Sequence, residues 1–281
     1  NTWKNYWTSQ ESEGILMKRV LTAGERVKLA RSLERPRAKE YIEGIFDDFV
    51  ELAGDGASGE DKSMICGIAK YRELPVTVIG QQKGRDFEEN MVYRFGMPNP
   101  EGYRKAIRLM KQAEKFKRPV ITFVDTPGAY PGKEAEERGQ GQAIAKCIQV
   151  MSMLRVPTIT FFIGEGGSGG ALAIATSDRR IMLENSIFSI LSPEGFASIL
   201  WHDAERWEEA SDAMRLTASD ILQLGACDEV IPEPDIMDEK GRRILFKKVD
   251  RAIDRNLREL LRLSEKELLK HRYRNLRNMG K

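Results

Sequence analysis

The sequence is poor in the residues that carry most side-chain chemistry, with only two histidines, His202 and His271, and three cysteines, Cys66, Cys147 and Cys227, in 281 residues. An odd number of widely spaced cysteines gives neither a disulfide framework nor a CxxC zinc pair, so a reduced, cytoplasmic setting is expected, with no metal site in this chain. Long apolar runs are also missing. The longest, such as residues 157–163, are strand-length and far short of the ~18–20 residues of a membrane span. Residues 1–13 hold no apolar signal core, and secretion is not expected. Charge of one sign is lacking as well: 45 Lys and Arg stand against 43 Asp and Glu. That balance removes the global field of a nucleic-acid or membrane binder, and neither is expected as a partner. Finally, no GxxxxGK[ST] occurs, so Asp125-Thr126-Pro127-Gly128, which imitates the DxxG of GTPases, has no phosphate cradle to work with.

What charge there is lies unevenly. Residues 241–281 hold 14 basic and 5 acidic residues. Leu245, Val249, Ile253, Leu257, Leu260 and Leu261 recur there at helical spacing, the pattern of amphipathic helices docked on something, with a surface for an acidic partner as the alternative. Three regions are expected: a polar helical arm over 1–37, a core over 38–235, and basic amphipathic helices over 236–281. After Pro36 a helix should carry Ile42, Ile45, Phe46 and Phe49 on one side. Short apolar runs then alternate with helical patterns, the texture of an α/β fold. Strands are expected at 64–71, 76–80, 119–125, 157–163, 180–183 and 187–191. Helices are expected from the Asn99-Pro100 start to Phe116, over 134–154, from the glycine cluster to about Thr176, and from Pro193.

The most informative stretch is Gly164-Glu165-Gly166-Gly167-Ser168-Gly169-Gly170, five glycines in seven residues between a strand and a helix. Two named motifs overlap it. Residues 164–169 spell the GxGxxG of dinucleotide binding, but about nine residues before the next strand are too few for a full crossover helix. Residues 166–170 spell the GxSxG nucleophile elbow. Its histidine base is lacking, because Asp203 adjoins His202 too closely to orient it and His271 lies in the tail. What remains is a helix start whose free N–H groups, at the positive end of the helix dipole, would stabilise negative charge on a carbonyl oxygen, or else a tight strand-to-helix turn with its glycines there purely for packing. Loop 126–132, with Gly128, Ala129 and Tyr130, comes after the preceding strand and should border this cluster. Ser192-Pro193-Glu194-Gly195-Phe196 is a further candidate wall, and also a plain helix cap.

GQQKGR (80–85), RFGMPNPEGYRKAIRLMKQAEKF (94–116), DTPGAYPG (125–132), AEERGQ (135–140), IGEGGSGGALAIA (163–175) and SPEGFASILW (192–201) together resemble the alpha subunit of bacterial acetyl-CoA carboxylase carboxyltransferase. The resemblance implies a crotonase-type superhelix of stacked strand-strand-helix units. It implies transfer of a carboxyl group from carboxybiotin, on a biotin carboxyl carrier protein, to acetyl-CoA, giving malonyl-CoA for fatty acid synthesis. It also implies a zinc-ribbon-bearing beta subunit, an alpha2beta2 heterotetramer, and biotin carboxylase in the full complex. Gly169 and Gly170 match the oxyanion hole that faces the ureido oxygen of biotin. Gly128, Ala129, Tyr130, Gly166, Gly167 and Gly195 would line the carboxybiotin side, where Lys83 and Arg85 could approach an anion; the other reading of these two residues is plain surface charge. One stretch departs: Asp235-Ile236-Met237-Asp238 replaces a PLGGAH-like segment after Ile231-Pro232-Glu233-Pro234, and subunit contacts there should differ. The alternatives are a self-sufficient enoyl-CoA hydratase, for which Glu134, Glu136, Glu137 and Glu194 offer carboxylates, and a scaffold or nucleic-acid binder resting on the basic tail alone.

Overall fold

A computed structural model describes residues 20–57 and 59–280. The polar start over residues 1–13 lies outside them. In chain order the elements are α1 (Ala23–Arg31), α2 (Ala38–Ile45), β1 (Asp47–Glu51), β2 (Met64–Tyr71), β3 (Leu74–Gln81), α3 (Phe87–Val92), α4 (Pro100–Lys115), β4 (Val120–Thr126), α5 (Lys133–Glu137) and α6 (Gln140–Met153). They continue with β5 (Thr158–Gly167), α7 (Ser168–Leu172), β6 (Arg179–Leu183), β7 (Ile187–Ser189), α8 (Pro193–Trp201), α9 (Trp207–Met214), α10 (Ala218–Gln223), β8 (Glu229–Ile231), α11 (Glu239–Leu260) and α12 (Glu265–Arg277).

The strands form one sheet in the order β1-β2-β3-β4-β5-β6-β8, with β7 pairing the far end of β5. β1, β2 and β3 pair antiparallel, while β3, β4, β5, β6 and β8 run parallel. Parallel strands are covered on both faces, which is why β4 reads as an almost unbroken apolar run and is buried throughout. One face packs Tyr103, Leu109 and Met110 of α4 with Cys147 and Met151 of α6. The other packs Tyr41 and Ile42 of α2 with Leu245, Val249, Ile253 and Leu257 of α11. The basic tail thus docks on its own sheet. Strand-strand-helix units recur as β2-β3-α4 and β6-β7-α8, with β4 and β5 each leading directly to helices between them. No helix among the described residues is long and apolar enough to cross a membrane.

Several boundaries differ from the sequence reading. The helix expected over 134–154 is broken into α5 and α6 at Gly139, whose φ of 83° only glycine adopts cheaply. The strand expected to stop at Ile163 runs on to Gly167, because the glycines allow close pairing with the end of β4. The strand expected to Leu191 ends at Ser189. α2 ends at Ile45, and Phe49 lies on β1. Leu261 is half exposed, as it lies just past the last turn of α11. Asn99 precedes α4 as expected, but its side chain makes no capping bond.

Candidate functional site

The parallel strands end side by side, and their C-terminal loops make the site. β4 pairs with β5, so loop 127–132 meets the glycine cluster as its order in the chain suggests. Contact there is too tight for side chains. A Cβ on Gly167 would lie 2.1 Å from the Pro127 carbonyl oxygen, and one on Gly170 would lie 2.6 Å from the Ala129 nitrogen. These two glycines therefore let two backbones touch. Gly166 is likewise packed against the Phe162 ring. Gly169 differs: the nearest atom to its would-be Cβ is Ile144 Cγ2 at 3.4 Å, an ordinary contact.

α7 starts immediately after Gly167, and a glycine N-cap offers no side chain to the first turn. The N–H groups of the first residues of a helix have no partner within it, and no side chain caps the start of α7. Ser168 has φ 53°, a left-handed conformation that a serine holds only under constraint from its surroundings. Below this turn the buried Gln81 Nε2 donates to the Gly170 carbonyl at 2.8 Å. The Tyr103 hydroxyl, buried and without a hydrogen-bond partner, lies 3.0 Å from the would-be Gly170 Cβ. Burial pushes its phenol well above the usual pKa.

Loop 127–132 is itself held. Gly128 N–H donates to Thr126 Oγ1 at 3.0 Å, and that hydroxyl donates to the Gly128 carbonyl at 2.7 Å. Tyr130 N–H donates to the Pro98 carbonyl at 3.1 Å. Gln140 Nε2 donates to the carbonyls of Tyr130 and Pro98, each at 2.9 Å. The partly exposed Tyr130 ring faces the Arg94 guanidinium at 5.6 Å. Gly195 stands apart from these groups in one respect: its N–H donates to Ser192 Oγ at 3.1 Å, so the cap reading accounts for that amide.

The two cations are both in ion pairs. Lys83 Nζ lies 2.8 Å from Asp125 Oδ1 and 2.9 Å from Glu165 Oε1, and the residue is buried. Burial alone would lower its pKa, and the two carboxylates outweigh it and raise it. Arg85 pairs with Glu40 and with the Leu33 carbonyl. Lys83 ties its loop to β4 and β5, while Arg85, paired with Glu40, remains about a third exposed. The sequence reading missed Arg31, which bonds Glu165 at 3.1 Å and forks onto Glu194 at 2.6 and 3.1 Å, and Arg37, which bonds Asp125 at 3.1 Å. The one available signal was a glutamate inside a glycine run and an aspartate ending an apolar strand.

Helices cover both faces of a mostly parallel sheet, and α7 starts at adjoining strand ends without a side-chain cap; the fold is of the crotonase type, as its likeness to solved carboxyltransferases shows. The chain superposes on transcarboxylase 12S, in the structure with methylmalonyl-coenzyme A bound, with a TM-score of 0.64 at 21% identity, covering 79% of this chain and 42% of that one. A family model described as acetyl co-enzyme A carboxylase carboxyltransferase-like matches residues 8–280. The chain is 54% identical over 265 residues to the acetyl-coenzyme A carboxylase carboxyl transferase subunit alpha of Clostridium acetobutylicum, covering 93% of this chain and 95% of that protein. It is 51% identical over 261 residues to a Natranaerobius thermophilus polypeptide named as subunits beta/alpha, covering 93% of this chain and 43% of that one. The chain belongs to the acetyl-CoA carboxylase carboxyltransferase family. These relatives do not favour the hydratase alternative.

Proposed function

We propose that this chain is the alpha half of a cytoplasmic two-subunit carboxyltransferase that moves a carboxyl group from carboxybiotin, presented on a biotin carboxyl carrier protein, to acetyl-CoA, giving malonyl-CoA for fatty acid synthesis. The observation that carries the reading is the uncapped first turn of α7, set against loop 127–132. When bound, carboxybiotin supplies the carboxyl group and a ureido oxygen on which negative charge gathers as that group departs. The N–H groups of Gly169 and Gly170 donate to this oxygen, and preformed donors of this kind act without reorganising during the reaction. What supports the fit is that no side chain caps the helix start and that Gly169, unlike Gly170, is not pressed against the backbone of loop 127–132. Gly128, Ala129 and Tyr130 form the opposing rim, Gly166 and Gly167 keep the two loops in contact, and Gly195 stands in a more distant wall. Lys83 holds its loop rather than ligand, and Arg85 remains partly exposed.

A beta subunit, bearing the zinc ribbon and handling the acetyl-CoA thioester, completes the site in an alpha2beta2 assembly that works with biotin carboxylase. The beta/alpha naming of one relative supports such a partner. So do exposed apolar side chains beyond the ends of β3 and β7: Phe87, Met91 and Val92 on α3, Ile190 before α8, and Ile199 and Leu200 on it. The test is biotin-dependent decarboxylation of malonyl-CoA by the purified chain, a beta subunit, and the two mixed. Activity is expected only in the mixture, with no hydration of crotonyl-CoA by the lone chain. An inactive mixture, or enzyme-like hydration, would refute the reading.

A further inference from the structure

The glycine cluster reaches the site through an irregular strand end. β4 and β5 keep one register from Val120 opposite Thr158 to Val124 opposite Phe162, and pairing then resumes at Thr126 opposite Gly166. Three residues of β5, 163–165, thus oppose the single residue Asp125 of β4. Extra residues of this kind bend a strand and re-aim the chain beyond it. The segment re-aimed here comprises Gly166, Gly167 and the start of α7.

Two carboxylates meet across this bulge. Asp125 Oδ1 accepts from the Glu165 N–H at 3.1 Å, fixing the bulged backbone directly. Lys83 Nζ lies between Asp125 Oδ1 and Glu165 Oε1, at 2.8 and 2.9 Å. The remaining oxygens are used from other elements: Arg37, just ahead of α2, takes Asp125 Oδ2, and Arg31 of α1 takes Glu165 Oε2 and Glu194 of α8. Arg35 and Glu233 form a neighbouring buried pair at 2.7 Å. Charges in the cluster balance, and removing one would leave a buried ion uncompensated.

We propose that Lys83 is a positioning residue of the carboxyltransferase: by bridging Asp125 and Glu165 it holds the bulge of β5, and so sets where the N–H groups of Gly169 and Gly170 point. The inference rests on the function proposed above. Its force comes from rigidity downstream of the bulge, since Gly164 has no room for a Cβ beside Asp125 Oδ1, Gly167 abuts Pro127, and Gly170 abuts Ala129. A displacement at Glu165 is therefore carried forward to the donors, and misplacement by ~1 Å costs on the order of 10²-fold in rate.

Lys83→Met leaves two buried carboxylates facing each other without their shared cation, and like charges at such range raise the pKa of one of them. The reconstituted alpha–beta pair carrying it should lose about 100-fold in kcat while KM for malonyl-CoA stays within about twofold. Its kcat should recover as pH is lowered from 8 to 6.5, when a proton replaces the missing charge. The double variant Lys83→Met with Glu165→Gln removes one charge of each sign, and should regain at least about tenfold of the lost kcat and lose the added pH dependence. Hydrogen exchange gives a readout independent of activity: amides of residues 166–171 should exchange about tenfold faster in Lys83→Met, with the double variant restored and amides of 120–124 unchanged. A purely structural lysine would lower Tm in both variants, leave kcat per folded molecule and its pH profile unchanged, and show no rescue. That outcome, or unaltered exchange at 166–171, overturns the proposal. Should Lys83→Met fail to fold, Lys83→Gln takes its place in the same comparison; Lys83→Arg, which keeps the bridging cation, should then retain kcat and exchange better than Lys83→Gln, and equal values in the two would count against the proposal. An inactive wild-type pair would refute the carboxyltransferase reading, and exchange would still decide the role of Lys83.

Discussion

Gly169 and Gly170 are neighbours, yet the structure gives them opposite tolerances. A methyl group on Gly170 points into the backbone of loop 127–132, so Gly170→Ala must push that loop away from α7. It should lower carboxyl transfer by about 10²-fold or more, the size of effect that accompanies loss of one oxyanion donor, and should lower Tm as well. Gly169→Ala meets only Ile144 Cγ2 at ordinary contact distance and should leave Tm within a degree or two. Steady-state kinetics and thermal melts on both variants check this, and equal Tm values would contradict the packing described. The cysteines do not compete as nucleophiles. Cys66 is buried, and burial pushes its thiol up to about 12. Cys147 and Cys227 are buried with raised pKa values too.

Elements are placed by a few buried polar anchors. Arg272 reaches from α12 into the core, where Nε and Nη2 bond both oxygens of Asp178 at 2.8 and 2.7 Å and its nitrogens also donate to the carbonyls of Leu154 and Val156. Neither partner is exposed. Replacing it with Met strands Asp178, and should destabilise the protein by roughly 3–5 kcal/mol in urea unfolding, with carboxyl transfer by the folded protein unchanged. A loss of under about 1 kcal/mol would contradict the anchor. At this scale much was legible in the sequence. β4 and β5 announce themselves as apolar, β-branched runs, and α4 by Asn99-Pro100 ahead of Ile107, Met110 and Ala113. The meeting of loop 127–132 with the glycine cluster comes from the adjacency of consecutive parallel strands. The bulge at Glu165 did not show, because a glycine run carries no hydrophobic period from which register can be read. Lys83 read as surface charge because its partners lie about 40 and 80 residues away, and only the sheet brings them together. Gly139 was visible, but whether a glycine breaks a helix or sits within it depends on the backbone around it.

Across the whole molecule, the same buried ions make stability depend on pH. His271 in α12 lies 2.9 Å from an Arg179 nitrogen, and burial, with that guanidinium second, holds it below the ordinary histidine pKa. The unfolded chain therefore takes up this proton first, at about pH 6.5, and stability present above that pH is lost as pH falls. Glu194 is held below the usual carboxylate range by Arg31, and Glu165 by Lys83 and Arg31 against the opposing effect of burial. Their contributions are complete above about pH 4.3 and disappear below it. Tm should thus fall in two stages on acidification, and His271→Gln should remove the first. A Tm that is flat from pH 7 to 5 would contradict this account. Part of the basic tail pairs within the chain, Arg242 of α11 with Glu40 and Arg255 of α11 with Glu229. The central claim is that main-chain N–H groups at the start of α7 stabilise the reacting oxygen. Its most direct test replaces the amide at Gly169 or Gly170 with an ester, which exchanges the N–H for an oxygen while keeping the side chains, in the alpha chain reconstituted with a beta subunit. The account predicts a fall in kcat of roughly 10²–10³-fold with KM and fold retained. An ester-containing protein that turns over at the wild-type rate would contradict it.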